Sequence, residues 1–179
     1  NLKNLIIRSR DSNFPIKISL IISNNKQAHG INYAKKFKIP YLYINTNDRL
    51  YENIILLNLE KYKISFICLA GYMKIISSNL IKNYQKKIIN IHPSLLPKYG
   101  GKGMYGDNVH NQVLLNNEKE TGITIHYVNE KYDRGEIIFQ KKINLQKDET
   151  LNTIKGKIKN LEMKYFPTII YQLLYGRKY

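Results

Sequence analysis

Apolar positions along the chain fall into two patterns that take turns: helical spacing and short continuous runs. Leu2, Leu5 and Ile6 within Asn1 to Arg10 lie at helical intervals. Lys17 to Ser23 is a compact apolar run ending in the polar loop Asn24-Asn25-Lys26, which predicts a buried strand. A second helical pattern covers Ala28 to Phe37 and stops at Ile39-Pro40, because the residue before a proline is driven out of helical backbone. A short strand over Tyr41 to Ile44 follows, and Asp48 is placed to cap a helix reaching about Tyr62. Ile64 to Ala70 is the most continuous apolar run, as expected of a central parallel strand covered on both faces. Further on, Ser77 to Tyr84 predicts a helix and Lys87 to Ile91 a strand. Pro93, Pro97 and Gly100-Gly101-Lys102-Gly103 then make an irregular stretch, a site of close backbone approach or a flexible loop. Strands over Ile123 to Val128 and Ile137 to Ile143 flank the polar loop Asn129 to Glu136, and Leu151 to Tyr175 is a long helix, interrupted near Pro167.

Strands and helices that alternate over short linkers predict an α/β fold of Rossmann-like type. The expected architecture is a single domain over residues 1–179: a mostly parallel central sheet flanked by helices, a C-terminal antiparallel strand region and a long terminal helix. In this architecture a strand and a phosphate-binding turn normally come first, whereas here a helix does, and no methionine precedes Met73. The expectation is therefore a domain whose first strand and turn lie upstream of Asn1.

Composition narrows the partners. The chain is 43% hydrophobic and 23% charged, an ordinary globular balance. No apolar run approaches the ~18 residues that cross a bilayer, and no export signal is visible, so a cytoplasmic protein without membrane contact is expected. The lone Cys68 has no intrachain disulfide partner and reads as a small buried hydrophobe. The formal charge of +16 would suit a nucleic-acid phosphate backbone. The lysines, however, are spread along the whole chain among abundant Ile, Asn and Tyr, as an A/T-rich coding bias produces. No nucleic-acid partner is expected, and the charge instead favours anionic small molecules.

The densest polar cluster is Asn90-Ile91-His92-Pro93-Ser94-Leu95-Leu96-Pro97, at the C-terminal edge of a buried strand, where open α/β sheets bind ligands. Asn90 and His92 share one side of that strand, so an amide donor and an imidazole converge. Acyl transfer to an amine calls for that pairing: the amide and a protonated imidazole stabilise an oxyanion, and proton transfer drives collapse to product. Asp133 is a candidate third group, since a nearby carboxylate favours imidazolium. From the residues alone, a hydrogen-bonded structural role for His92 stays open. His110 and His126 read as structural, and His29 as a surface helix residue.

Four stretches together carry a resemblance: Asn90 to Pro97, Leu69-Ala70-Gly71-Tyr72-Met73, Gly122-Ile123-Thr124-Ile125-His126 and Tyr132-Asp133-Arg134-Gly135. The chain resembles the phosphoribosylglycinamide formyltransferase family over essentially its whole length. An Asn-x-His element with a distant Asp is common to the wider formyl-folate enzymes, and Pro93 directly after His92 is closest to this branch. The resemblance implies direct transfer of the formyl group from 10-formyltetrahydrofolate to the amine of 5-phosphoribosylglycinamide, with no metal. It implies Asn90, His92 and Asp133 as catalytic. For the folate it implies Arg49, Met73, Lys74, Ile75 and Ile76 together with Asn90 and Asn129, Glu130, Lys131, Tyr132 and Asp133. For the second substrate it implies Asn1, Gly71, Met73, Pro93 and Glu162. Lys74 stands where the family usually has Arg, which removes a planar guanidinium. Asn1 matches the last residue of the family's Gly-Ser-x-Ser-Asn phosphate turn. The protein is expected to be a monomer or a homodimer. The alternatives at this stage are hydrolysis of formyl-folate by the same trio, a folate-binding protein without turnover, and a basic nucleic-acid binder.

Overall fold

The computed structural model describes residues 1–176, which divide into two compact units at Ser65 and Phe66. The first unit holds α1 (Leu2–Arg8), β1 (Ile21–Ser23), α2 (His29–Phe37), β2 (Tyr41–Tyr43) and α3 (Tyr51–Lys61). β1 and β2 pair in parallel, Ile21 opposite Tyr41 and Ser23 opposite Tyr43, with α2 as the crossover between them. Ile6, Ile21 and Ala34 form its buried core, with Leu2, Ile18, Tyr33, Phe37 and Ile39 packed around them. β1 is shorter than the apolar run Lys17 to Ser23 because β2 offers only Tyr41–Tyr43 as ladder partners. Asp48 does not cap α3. Its carboxylate accepts the backbone N–H of Leu50 at 2.9 Å, and Asn45 does the same for Asn47 at 3.1 Å, so this Asn/Asp-rich stretch closes side-chain turns before the helix starts.

The second unit holds β3 (Ile67–Leu69), α4 (Ser78–Asn83), β4 (Ile88–His92), α5 (Asp107–Leu115), β5 (Glu120–Tyr127), β6 (Ile137–Asn144) and α6 (Leu151–Tyr175). Its sheet runs in the order β3-β4-β5-β6, with β3 parallel to β4 and the remaining pairs antiparallel. Ile88, Ile89, Ile91 and His92 of β4 are all buried, so this strand is covered on both faces. Ile123 and Ile125 of β5, Val109 and Val113 of α5, and Ile154, Ile158 and Phe166 of α6 complete the core. β3, expected over Ile64 to Ala70 as a central strand covered on both faces, is instead the edge strand of this sheet, limited to Ile67–Leu69 and only half-buried, Cys68 included. Burial still pushes the Cys68 thiol up to about 12, so the residue is no thiolate nucleophile at neutral pH.

Two further differences from the sequence expectation are helical. α5 occupies residues for which the apolar pattern predicted nothing. Val109 and Val113 sit one turn apart facing the core, and Asp107 favours the helix start. α6 is not interrupted at Pro167. The helix continues through it because the proline ring is buried beside Phe166, Ile169 and Ile170, and this packing outweighs the lost N–H. α6 begins at a reciprocal Thr150–Thr153 capping box and ends at Gly176 in left-handed backbone. Gly156 sits inside α6 with open space where a Cβ would project. Gly156→Ala is expected to raise unfolding free energy by about 0.5–1 kcal/mol, read from urea midpoints at unchanged slope. No helix among the described residues is long and apolar enough to cross a membrane.

Candidate active site

β4 ends with Asn90 and His92 projecting to one side, and antiparallel pairing sets His126 of β5 opposite Asn90 and Thr124 opposite His92. Four polar side chains are thereby stacked on one sheet face. Thr124 is fully buried and ties the strand to the segment that follows: its hydroxyl donates to the Ser94 carbonyl at 2.7 Å and accepts the Leu96 N–H at 3.0 Å. Past the cis Leu96–Pro97 bond, this segment turns back over the strand end. The Tyr99 carbonyl accepts from His92 Nε2–H at 2.7 Å, and the Gly101 N–H donates to Asp133 Oδ2 at 2.9 Å. Gly100 lies so close to Asp133 and Leu96 that a Cβ there would collide with the Leu96 side chain. Glycine at this position lets the backbone pass close to the Asp133 side chain.

Asp133 sits in the loop between β5 and β6 with φ of 52°, left-handed backbone that Asp adopts more readily than most non-glycine residues. Its Oδ1 lies 3.5 Å from His92 Nδ1 and 3.6 Å from His126 Nε2. His92 and His126 are almost fully buried, while Asp133 keeps 12% side-chain exposure. Since Nε2 of His92 carries the proton given to Tyr99, Nδ1 is the nitrogen that faces Asp133. His126 is fixed by the same logic. Its Nδ1–H donates to the Tyr127 carbonyl at 2.8 Å, which leaves Nε2 to accept an amide N–H from Asn90 at 3.3 Å. That bond is shorter than the 3.6 Å approach to Asp133, so we assign Asn90 as the nearer partner of Nε2. The amide orientation of Asn90 is thereby set, with its second N–H left to donate to a ligand.

Burial pushes the His92 imidazole below the usual 6.5, and the Asp133 carboxylate and Tyr99 carbonyl oppose this only in part. The carboxylate does act in the expected direction, but desolvation outweighs it, so His92 rests neutral at pH 7. Burial alone would raise Asp133. The neighbouring His126 imidazole, the Gly101 N–H and the His92 imidazole more than reverse this and hold it below the usual carboxylate value. At neutral pH the site therefore presents two acceptors, His92 Nδ1 and Asp133 Oδ1, converging beside one amide donor. An imidazole lone pair and a carboxylate facing each other at 3.5 Å suit a group with protons to give, such as an amine.

Of the remaining residues singled out from the sequence, Gly71, Met73, Lys74 and Ile75 lie exposed between β3 and α4, whereas Ile76 is buried. Pro93 is half-buried directly after β4. Asn129 accepts the Lys131 N–H in a side-chain turn, Glu130 and Lys131 are exposed, and Tyr132 is half-buried beside Asp133. Glu162 is half-buried on α6. Asn1, at the N-cap of α1, and Arg49, before α3, are exposed residues of the first unit. His29 is exposed at the start of α2, and His110 is buried in α5. His126, expected to be structural, lies against both Asn90 and Asp133. The signal was its two-residue spacing from Thr124 on β5, which the sequence shows without showing which strand it faces.

The sequence model of the formyl transferase family matches residues 1–170. Phosphoribosylglycinamide formyltransferase of Bacillus subtilis is 37% identical over 178 residues, 97% of this chain and 89% of that protein. The Haemophilus influenzae protein of the same name is 33% identical over 181 residues, covering 99% of this chain and 83% of that one. The crystal structure of phosphoribosylglycinamide formyltransferase from Bacillus halodurans superimposes with a TM-score of 0.87 at 32% identity, covering 97% of this chain and 90% of that one. On the match of residues 1–170 and on these relatives, the chain belongs to the formyl transferase family.

Proposed function

We propose that this chain moves the formyl group of 10-formyltetrahydrofolate onto the amine of 5-phosphoribosylglycinamide, giving N-formyl-phosphoribosylglycinamide in purine synthesis. The observation that carries this reading is the convergence of His92 Nδ1 and Asp133 Oδ1 beside the oriented amide of Asn90. The amine nitrogen attacks the formyl carbon, a C–N bond forms, and the carbonyl electron pair moves to oxygen. The Asn90 N–H donates to that oxyanion, an interaction that strengthens as charge develops. His92 Nδ1, neutral because it is buried, takes the proton the amine must lose, and the Asp133 carboxylate steadies the resulting imidazolium. Collapse returns the pair to carbon and expels the folate nitrogen, which takes the proton that the His92 imidazolium gives back, regenerating the neutral ring. No bond to the enzyme forms at any step.

Exposed Met73 and Ile75 offer apolar surface against which a flat pterin ring can lie, with Lys74 and Ile76 alongside and residues 129–133 as further folate contacts. Gly71, Pro93 and Glu162 are assigned to the second substrate, Met73 to both. For Glu162, Asn1 and Arg49 the support is their match to the family motif. We read residues 1–179 as one formyltransferase domain, supported by a family match that runs across both units. A cytoplasmic location belongs to the same reading.

The full chain is to be incubated with 10-formyltetrahydrofolate, with and without glycinamide ribonucleotide. The expected result is tetrahydrofolate release that requires the amine and equals N-formyl product mole for mole. Formate released at the same rate without the amine would instead establish a hydrolase.

A further inference from the structure

Tyr99 has φ of 55°, a left-handed backbone that is an outlier for a bulky aromatic residue. Such conformations persist where the surroundings over-determine them, and here the restraints are visible. The phenol hydroxyl donates to Glu118 Oε1 at 2.7 Å. The same carboxylate takes the Lys98 ammonium at 3.0 and 3.3 Å, and the Lys98 carbonyl accepts from the buried Ser94 hydroxyl at 2.7 Å. Lys98 and Tyr99 are thus both tied to one residue in the turn between α5 and β5. This twisted backbone turns the Tyr99 carbonyl to His92 Nε2, while two residues on the Gly101 N–H meets Asp133. One short segment supplies a backbone contact to each member of the proton-accepting pair.

We infer that the Tyr99–Glu118 hydrogen bond is a positioning strap for the active site: by holding the Tyr99 carbonyl on His92 Nε2, it keeps the ring proton there and Nδ1 free to face Asp133. Glu118 touches no reacting atom and acts through Tyr99. The Tyr99 phenol first, and Lys98 second, hold the Glu118 carboxyl below its ordinary range, so the acceptor stays ionised through neutral pH. The inference rests on reading His92 as the proton acceptor of formyl transfer.

The test uses Tyr99→Phe, Glu118→Leu, their double variant, Glu118→Gln and His92→Ala. Each is assayed for formyl transfer, and the His92 ring nitrogens are followed by 15N NMR. Tyr99→Phe and Glu118→Leu are expected to lower kcat roughly tenfold with both KM values within about twofold, and to shift His92 from the pure Nε2–H form toward a tautomer mixture. The double variant is expected to lose no more than either single one. Glu118→Gln keeps an acceptor for the phenol and is expected to restore both kcat and the tautomer. Losses that add, or a tautomer unchanged in Tyr99→Phe and Glu118→Leu alike, overturn the strap. Full transfer by His92→Ala would overturn the catalytic reading itself, a different outcome from an inactive His92→Ala beside a fully active Tyr99→Phe.

Discussion

Asn90→Ala is expected to lower kcat by roughly 10²–10³-fold while leaving the KM for both substrates nearly unchanged. The amide is worth most when the formyl oxygen carries full negative charge, so its loss is felt in the transition state and little in ground-state binding. The effect is large because the donor is preorganised. Asn90 is half-buried on β4, and the His126 lone pair already takes one of its two N–H groups, so little reorientation is needed as the charge appears. Asn90→Asp tests the sign of the interaction. It conserves shape but replaces a donor with an anion beside the oxyanion and near Asp133, so it is expected to be at least as impaired as Asn90→Ala. Steady-state kinetics on both variants, with circular dichroism to establish folding, is the required measurement. An Asn90→Asp enzyme with near-normal kcat would remove the amide from the chemistry.

How far the sequence alone reaches can be followed residue by residue. Asn90 and His92 are legible as a pair because strand side chains alternate with a period of two and because the strand's apolar residues fix which run is buried. Asp133 is legible only as the carboxylate of a glycine-containing loop that could fold over the strand end. His126 is not legible as a member of the site. Which residue of β5 stands opposite Asn90 depends on register, and that register is closed through a long connection containing α5. α5 itself is obscured by the glycine run before it, although Asp107, Val109 and Val113 carry a helical signal. Pro167 fails in the other direction. The rule that proline ends helices is local, and the burial that overrides it here is tertiary. The contacts of Tyr99 and Gly101 with His92 and Asp133 are backbone contacts, and no residue type announces where its carbonyl or N–H will point.

The charge of Asp133 can be isolated from its shape, which makes Asp133→Asn the sharper probe of proton transfer. Asparagine tolerates the left-handed backbone at this position and still offers an oxygen to the Gly101 N–H, so the loop is expected to persist. What disappears is the negative charge 3.5 Å from His92 Nδ1. Two consequences follow. The imidazolium formed when His92 takes the amine proton loses its counter-ion, and kcat is expected to fall roughly 10²–10⁴-fold. The pH profile also moves in a defined direction. In the native enzyme His92 already titrates below 6.5, because burial outweighs the upward push of the carboxylate. A reaction that needs neutral His92 gains rate as pH rises through that value and then levels off, so the limb attributable to the enzyme is an acid limb. Without the carboxylate the upward push is lost, the imidazole loses its proton at still lower pH, and the acid limb of kcat/KM moves down. The substrate amine contributes its own limb near its ordinary pKa of about 8, which stays in place because it belongs to the free ligand. A profile that instead falls through the His92 value as pH rises would mean that His92 works as the imidazolium, making it an oxyanion donor alongside Asn90 and leaving Asp133 to take the amine proton.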